Sequence, residues 1–433
     1  MDNNKIKQYI LDFHNRTFNT IDRDVNINTS NKIQTIIGAR RVGKTYLFYG
    51  KINKLNSLNI SKKYMLYLNF ESPVLNDISY KEIKDIIELY FSLFPKIITK
   101  KFYMFIDEPQ TIEKWEFAIR EIYDNYNCHI FITGSSSKLL SKEIATSLRG
   151  RSISTLLLPL SFKEFLRFKG FNYDINAINT IHKANILNYL DEYILFGGYP
   201  EIVLENDKNE KLKILKDYFD LTIYKDIIER YNIKNTNLIK TLMNFLTNCI
   251  SKEFSLNNFY LTLKSKGIKI SKNTLYEYFS MLEDSFFVFP IRKFDYSVKN
   301  ENLSIPKIYL DDVGFLNLFS IQDYGKRMEN MVFLEILRKK HKRPLLNLNY
   351  WKSKDGKEID FVVSEAKKIK ELIQVCYDIS EPNTKKREFD SIITAMEYFK
   401  LNKGIIITKD YENEEKINEK TIEYIPIWKW MLR

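Results

Sequence analysis

The sequence predicts an α/β fold around a parallel, helix-covered sheet, and two features carry that expectation. Between Lys32 and Arg151, short apolar runs at 33–37, 64–70, 102–106 and 129–133 alternate with amphipathic helical stretches, the order in which a parallel sheet with crossover helices is written. The first run leads into Gly38-Ala39-Arg40-Arg41-Val42-Gly43-Lys44-Thr45, a glycine-bounded turn between a strand and a helix. At 433 residues, 44% of them hydrophobic, the chain exceeds what one core usually organises, so two or three domains are expected.

Further along, 161–231 reads as helical, broken at Phe196-Gly197-Gly198-Tyr199-Pro200, where two glycines and a proline interrupt the pattern. Residues 235–312 read as short helices followed by a hairpin. From Lys326 the strand and helix patterns alternate again, beginning with a helix at 328–340. The expected domains are 1–160, a helical lid or connector at 161–234, a third at 235–312 and a fourth at 313–433.

Composition narrows the function. Lys and Arg number 67 against 55 Asp and Glu, a net charge of +12, which favours anionic partners, although both signs are dense throughout as on any solvated surface. Cys128, Cys249 and Cys376 are odd in number and widely spaced, which excludes a disulfide framework or a cysteine zinc site and suits a reducing cytoplasm. Residues 1–10 are polar, and no apolar run approaches the roughly 20 residues that cross a bilayer. A cytoplasmic protein without a membrane partner is the expectation.

The turn at 38–45 carries the chemistry. Gly38 and Gly43 let the backbone wrap phosphates with the N–H groups of Ala39, Arg40, Arg41 and Val42 pointing inward, and the following helix N-terminus adds positive potential. Lys44 would bridge the β- and γ-phosphates, and Thr45 would hold Mg²⁺. The run at 102–106 ends in Asp107-Glu108 at a strand's C-terminal tip, the edge where open α/β sheets bind ligands. There Asp107 would hold the metal through its water shell, and Glu108 would act as general base on the attacking water. Gly134-Ser135-Ser136-Ser137 offers hydroxyls to the γ-phosphate, with a plain Gly/Ser loop as the competing reading. Leu148-Arg149-Gly150-Arg151 offers guanidinium groups to charge developing in phosphoryl transfer, from the same chain or a neighbour, against surface salt bridges as the alternative. No Asn-Lys-x-Asp tetrapeptide occurs in this first domain, so ATP is preferred over GTP.

With these residues in hand the chain resembles the prokaryotic AAA-type P-loop ATPases whose C-terminal part is a domain of unknown function with a PD-(D/E)XK nuclease-like core. The likeness covers nearly the whole chain. It is carried by 38–45, Tyr67-Leu68-Asn69-Phe70-Glu71, Asp107-Glu108-Pro109-Gln110, Thr133-Gly134-Ser135-Ser136, Leu148-Arg149-Gly150-Arg151 with Leu158-Pro159-Leu160-Ser161-Phe162, 196–200, and Lys357-Glu358-Ile359-Asp360-Phe361. The resemblance implies a P-loop AAA-type ATPase domain with a helical segment, a winged-helix domain and a C-terminal α/β restriction-endonuclease-like domain. It also implies that Gln110 and Arg151 belong to the nucleotide site.

In the third domain, helical stretches at 255–264 and 271–283, each opened by a serine, flank a turn with Gly267, the spacing of a helix-turn-helix. Leu275, Phe279 and Leu282 would be buried, leaving Lys272, Asn273 and Tyr276 to reach DNA. Runs at 286–296 and 303–310, joined through Lys299-Asn300, supply a candidate wing. Winged helices also serve as protein-contact modules.

The last domain reads αβββαβ, the order of the nuclease-like core. Active members of that fold hold Mg²⁺ on an acidic residue and an Asp/Glu-x-Lys strand. Glu329 and Asp360 match, but the strand motif has become Gln374-Val375-Cys376, a vestigial site in which Lys385 or Lys386 stands in for the missing lysine and Cys376 is a core thiol. The expected activity is an ATPase coupling turnover to rearrangement of its C-terminal modules on DNA. The alternatives are a slow nucleotide-gated switch acting through a protein partner and an ATP-dependent nuclease. A homo-oligomer is left open.

Overall fold

The computed structural model describes residues 2–28, 30–135, 148, 150–175 and 177–433. The chain divides into two compact units, Met1–Leu157 and Leu158–Arg433.

In the first unit, β1 (Ile33–Ile37), β2 (Met65–Asn69), β3 (Phe102–Asp107), β4 (Cys128–Gly134) and β5 (Ser152–Leu156) form one sheet in the order β2-β3-β4-β1-β5. Every neighbouring pair is parallel. All five residues of β1 are buried, as a central strand covered on both faces by helices requires. The helices α1 (Asn3–Asn15), α2 (Lys44–Ser57), α3 (Glu82–Leu93) and α4 (Trp115–Asn125) each bury a narrow apolar stripe: Ile6, Ile10 and Phe13 in α1, and Ile83, Ile86, Ile87 and Tyr90 in α3. Asp2 caps α1 by accepting from the Asn4 and Lys5 N–H groups. β5 was not foreseen: only Leu156 of its five residues is buried, so an edge strand shows no apolar run.

The second unit begins with helices. Thr180–Phe196 ends at Gly197, whose φ is +76°, and Pro200–Leu204 restarts with its proline in the first turn. A Cβ on Gly197 would lie 1.6 Å from Asp312 Oδ1, so only glycine fits this break. Helices Leu256–Ser265 and Lys272–Asp284 are capped by Ser255 and Ser271, and Gly267 between them has φ +77°. Leu275, Phe279 and Leu282 are buried as expected.

The candidate wing differs from the expectation. Its strands are the short antiparallel pair β6 (Val288–Ile291) and β7 (Lys307–Leu310). The connection through Lys299 and Asn300 is no hairpin loop but contains a helix, Val298–Leu303, capped by Ser297. The C-terminal part is a mixed six-stranded sheet in the order β12-β13-β11-β10-β9-β8. Its strands are β8 (Leu346–Lys352), β9 (Glu358–Glu365), β10 (Lys368–Cys376), β11 (Lys403–Thr408), β12 (Asn413–Ile417) and β13 (Lys420–Pro426). Pairs β8/β9, β9/β10 and β12/β13 are antiparallel, while β10/β11 and β11/β13 are parallel. Helix Pro382–Phe399 buries Ile392, Ala395 and Met396 in a core with Leu372, Ile406 and Tyr424. Among the described helices none is long and apolar enough to cross a membrane.

Candidate functional site

β1, β3 and β4 run parallel, so their C-terminal ends bring 38–45, Asp107-Glu108 and Gly134-Ser135 to one edge of the first sheet. The turn is built to admit no side chain at its entry: a Cβ on Gly38 would lie 2.1 Å from the Leu157 carbonyl oxygen. Gly43 at φ +95° and Arg41 at φ +66° turn the backbone into the α2 N-terminus, a left-handed conformation that costs energy at a non-glycine position. Arg40 pairs with Glu71 beyond β2 at 2.9 Å, and the Arg23 guanidinium donates to the Val42 carbonyl at 2.8 Å.

Lys44 is buried. Its ammonium donates to the Gly38 and Ala39 carbonyls at 3.0 Å each and lies 3.3 Å from Glu108 Oε1. Thr45 donates its hydroxyl to Asp107 Oδ2 at 2.6 Å, Tyr67 donates to the same oxygen at 3.0 Å, and Thr133 donates to Oδ1. Glu108 Oε2 accepts from the Ser135 backbone N–H at 3.1 Å and from the Gln110 side-chain amide, while the Glu108 N–H donates to Thr133 Oγ1 at 3.2 Å. Gln110 Oε1 is buried with no protein partner.

Two adjacent carboxylates thus have opposite environments. Burial first, then the Glu108 charge, pushes Asp107 above the ordinary carboxylate range, against the three hydroxyls that donate to it. Burial also raises Glu108, but the Lys44 ammonium, the Gln110 amide and Arg40 outweigh it and hold that carboxyl below its usual value. A pair of acids pushed apart in this way is the pattern of divided roles.

The structure brings Lys44, Thr45, Asp107, Glu108, Gln110 and the Ser135 backbone together. It does not bring Arg151. That residue precedes β5, which runs parallel to β1 in the register Ile33↔Ser152, and the Ile33 N–H donates to the Arg151 carbonyl. Arg151 therefore lies level with Lys32 at the N-terminal edge of the sheet, about 20 Å of strand from Gly38 at about 3.3 Å per residue. There it makes a two-pronged pair with Asp124, at 3.0 Å on each oxygen. Its expected place in this chain's own nucleotide site is corrected accordingly. Ser136, Ser137 and Arg149 lie outside the described residues.

Sequence reading gave Tyr67 and Thr133 no role. They flank Asp107 because β3 lies between β2 and β4, with Asn69 opposite Asp107, an order that no linear signal encodes. The Tyr67 ring stacks on Phe13 at 5.2 Å.

The second unit holds a separate cluster. Lys307 of β7 lies 2.6 Å from Glu358, 2.9 Å from Asp360 and 3.2 Å from Glu329, which also accepts from the Tyr309 hydroxyl at 2.7 Å. Gln374 accepts from the Asp360 N–H at 3.1 Å and donates to Glu388 at 2.7 Å. Burial beside Asp360 pushes Glu329 up to about 8. Burial alone would lower the Lys307 ammonium, but Asp360 and Glu329 hold it well above the ordinary lysine range. Glu329, Glu358, Asp360, Gln374 and Glu388 line part of a cavity of about 620 Å³. The lysine is thus neither Lys385, which pairs with Glu415 at 2.5 Å, nor Lys386, which is exposed. Burial pushes the Cys376 thiol up to about 12, as expected of a core thiol.

Lys272, Asn273 and Tyr276 are exposed at the start of their helix, with the lysine ammonium 6.0 Å from the tyrosine ring centre. From Phe254 to Tyr276 the chain has no acidic residue, and Lys264, Lys266, Lys269 and Lys272 are all exposed.

Family models match three consecutive segments: an AAA domain at 30–166, a domain of unknown function, DUF8612, at 187–324, and a second, DUF4143, at 324–430. The chain is 42% identical over 420 residues to Uncharacterized protein MJ1544 of Methanocaldococcus jannaschii, covering 95% of this chain and 91% of that protein. It is 31% identical over 402 residues to an uncharacterized protein of Haemophilus influenzae, covering 92% of this chain and 94% of the other. A solved structure of the Aeropyrum pernix ORC1 protein in complex with DNA is 11% identical, is matched over 69% of this chain and 88% of that one, and superposes with a TM-score of 0.30. On its full-length relatives the chain belongs to the family these two proteins represent, with an AAA domain of the P-loop type followed by the DUF8612 and DUF4143 domains.

Proposed function

We propose that the chain is an ATP-binding, Mg²⁺-dependent ATPase whose turnover repositions the helical, winged-helix and C-terminal modules of its second unit on DNA. The observation that carries this is the convergence of Lys44, Thr45, Asp107 and Glu108 on one sheet edge, with Lys44 and Glu108 in direct contact at 3.3 Å. The residues present fit the metal: a hydroxyl and a buried carboxylate lie within 2.6 Å of each other. When bound, Mg²⁺ would supply charge neutralisation on the phosphates. Backbone N–H groups of 38–45 would wrap the phosphates, and Lys44 would exchange the Gly38 and Ala39 carbonyls for phosphate oxygens. Glu108 would then lose the cation that depresses its basicity and be left, oriented by Gln110 and the Ser135 N–H, to take a proton from water.

The exposed, acid-free stretch with Lys264, Lys266, Lys269 and Lys272 supports DNA as the partner. The order helix, β8, β9, β10, helix, β11 supports a nuclease-like ancestry for the C-terminal sheet. One observation favours a second reading, a slow switch acting through a protein partner: the Lys44 contact lowers Glu108, and a depressed carboxylate is a weak base.

The test is steady-state ATP hydrolysis by wild type, Lys44→Ala and Glu108→Gln, with and without duplex DNA. Lys44→Ala should lose nucleotide binding and turnover together. Glu108→Gln should keep binding and lose about 10²- to 10⁴-fold in turnover, the range for a general base. Stimulation of wild type by DNA supports the first reading. Binding without turnover in wild type transfers support to the switch, and absence of ATP binding overturns both.

A further inference from the structure

A nuclease-like ancestry of the C-terminal sheet raises the expectation of a divalent metal between Glu329 and Asp360, and the residues present do not fit one. The point on which their carboxylates converge is held by the Lys307 ammonium, with Asp360 Oδ1 at 2.9 Å, Glu329 Oε1 at 3.2 Å and Glu358 Oε1 at 2.6 Å. The lysine side chain is 3% exposed, and it arrives from β7, a strand of a different sheet. Three further hydrogen bonds from the protein engage acceptors of this cluster. Asp360 Oδ2 accepts from the Val375 N–H at 3.0 Å, Glu329 Oε1 also accepts from the Tyr309 hydroxyl at 2.7 Å, and Glu388 Oε2 accepts from the Gln374 amide at 2.7 Å. Gln374, where a carboxylate would add charge for a metal, uses its amide to join Asp360 to Glu388. Among the described residues no group of three or more His, Cys, Asp or Glu side chains is arranged to hold a metal ion.

We infer that Lys307 is a tethered cation standing where a divalent ion would be bound, so that the cluster is closed to metal and to metal-dependent phosphodiester cleavage and instead fastens the β6–β7 pair to the C-terminal sheet. Two cations cannot share that point, because a buried ammonium and a dication there would face each other at less than the thickness of a water layer. The lysine also gives what a bound ion gives a fold, a positive centre that several carboxylates from different segments share: Glu329 from the helix Tyr324–Lys342, and Glu358 and Asp360 from β9. The inference takes from the nuclease-like reading only the expectation of a metal. It owes nothing to ATP turnover, so the two fail separately.

The geometry gives the consequence of removing the ammonium. Three carboxylate oxygens would then surround a point at 2.6, 2.9 and 3.2 Å, and a contraction of a few tenths of an ångström would bring them toward the roughly 2.3–2.6 Å of a hard-cation oxygen shell. Mn²⁺ titration of nucleotide-free full-length chains, read by electron paramagnetic resonance, tests this. Wild type and Asp360→Asn should bind Mn²⁺ alike. Lys307→Ser should gain a site at least tenfold tighter than anything in wild type, and Lys307→Ser with Asp360→Asn should lose it again. A folded Lys307→Ser variant with no gain would overturn the inference. So would Mn²⁺ binding by wild type that Asp360→Asn abolishes, or Mn²⁺-dependent DNA cleavage by wild type that Asp360→Ala abolishes. These last two comparisons need no lysine variant, so the inference stays open to refutation even where Lys307→Ser does not fold.

Discussion

Replacing Tyr67 by Phe removes one hydroxyl and leaves the ring where it is, stacked on Phe13 at 5.2 Å and tilted against Tyr49 at 5.7 Å. The lost hydroxyl donates to Asp107 Oδ2 at 3.0 Å, beside the Thr45 donor at 2.6 Å on the same oxygen. A hydrogen bond to a charged group contributes about 1.5–3 kcal/mol, so the ionised, metal-competent form of Asp107 is disfavoured by about ten- to a hundredfold in the variant. The sign follows from the environment. Asp107 already lies above the ordinary carboxylate range through burial and the Glu108 charge, and the Tyr67 hydroxyl is one of the groups that oppose this. A carboxyl raised in the folded state adds stability below its unfolded value, and that stability is lost as pH rises through the folded one. Removing the hydroxyl moves the upper end of that window further up. In the ATPase assay the acid limb of the pH profile should therefore shift to higher pH, and the Mg²⁺ concentration for half-maximal turnover should rise about ten- to a hundredfold. Nucleotide binding without metal should not change, because Lys44 and the backbone turn are untouched. A folded Tyr67→Phe protein whose Mg²⁺ midpoint and acid limb both stay within twofold of wild type would refute the reasoning.

Changing Lys264, Lys266, Lys269 and Lys272 together to Ser should weaken binding of duplex DNA of any sequence. It should also flatten the dependence of log affinity on log salt by about 0.9 for each lysine that meets a phosphate; an unchanged slope would exclude this surface. Arg151→Ala should leave single-chain ATP turnover close to wild type and cost only about 0–1 kcal/mol of stability, because the half-exposed Asp124 pair is what it removes. If turnover collapses and is restored by mixing with Lys44→Ala protein, the arginine acts across an interface between two chains.

What was legible in the sequence was what depends on neighbours along the chain. The phosphate turn, the strands at 33–37 and 102–106 and the serine caps at 255 and 271 are local patterns, and each is present, the second strand one residue longer. Asp107 and Glu108 reach Lys44 and Thr45 because a parallel sheet collects strand ends on one edge, which the alternation of strand and helix already implies. Three of the misses depend on lateral order. Arg151 stands on the wrong edge because the segment after it is β5, a polar edge strand with no apolar signature. Tyr67 and Thr133 become partners of Asp107 only once β2 and β4 are known to flank β3. Lys307, in an unremarkable Ile-Pro-Lys-Ile stretch, meets carboxylates 22 and 53 residues further along, and no periodicity encodes a pairing between two sheets.

The same long-range polar bonds bear on what a nucleotide-driven change inside the second unit can involve. Arg327 is buried and donates to the Ile194 and Leu195 carbonyls at 3.1 Å each, to Val313 at 3.3 Å and to Ile321 at 2.8 Å. Asp312 accepts from the Gly198 and Gly314 N–H groups at 2.7 Å each, Asp311 accepts from the Tyr199 hydroxyl at 2.6 Å, and Arg338 donates to the Pro159 carbonyl at 2.7 Å. With Lys307 these bonds join 161–234, 235–312 and 313–433, the three segments that sequence patterns separate. Opening the seam at Lys307 would strand a buried charge at a cost of about 3–5 kcal/mol, and a ligand can drive such a change only by binding the opened form more tightly by at least that much. The helical segment, the β6–β7 region and the C-terminal sheet are for this reason expected to respond as one body, with the Phe196–Pro200 break acting as a fixed corner held by Asp312 rather than as a hinge.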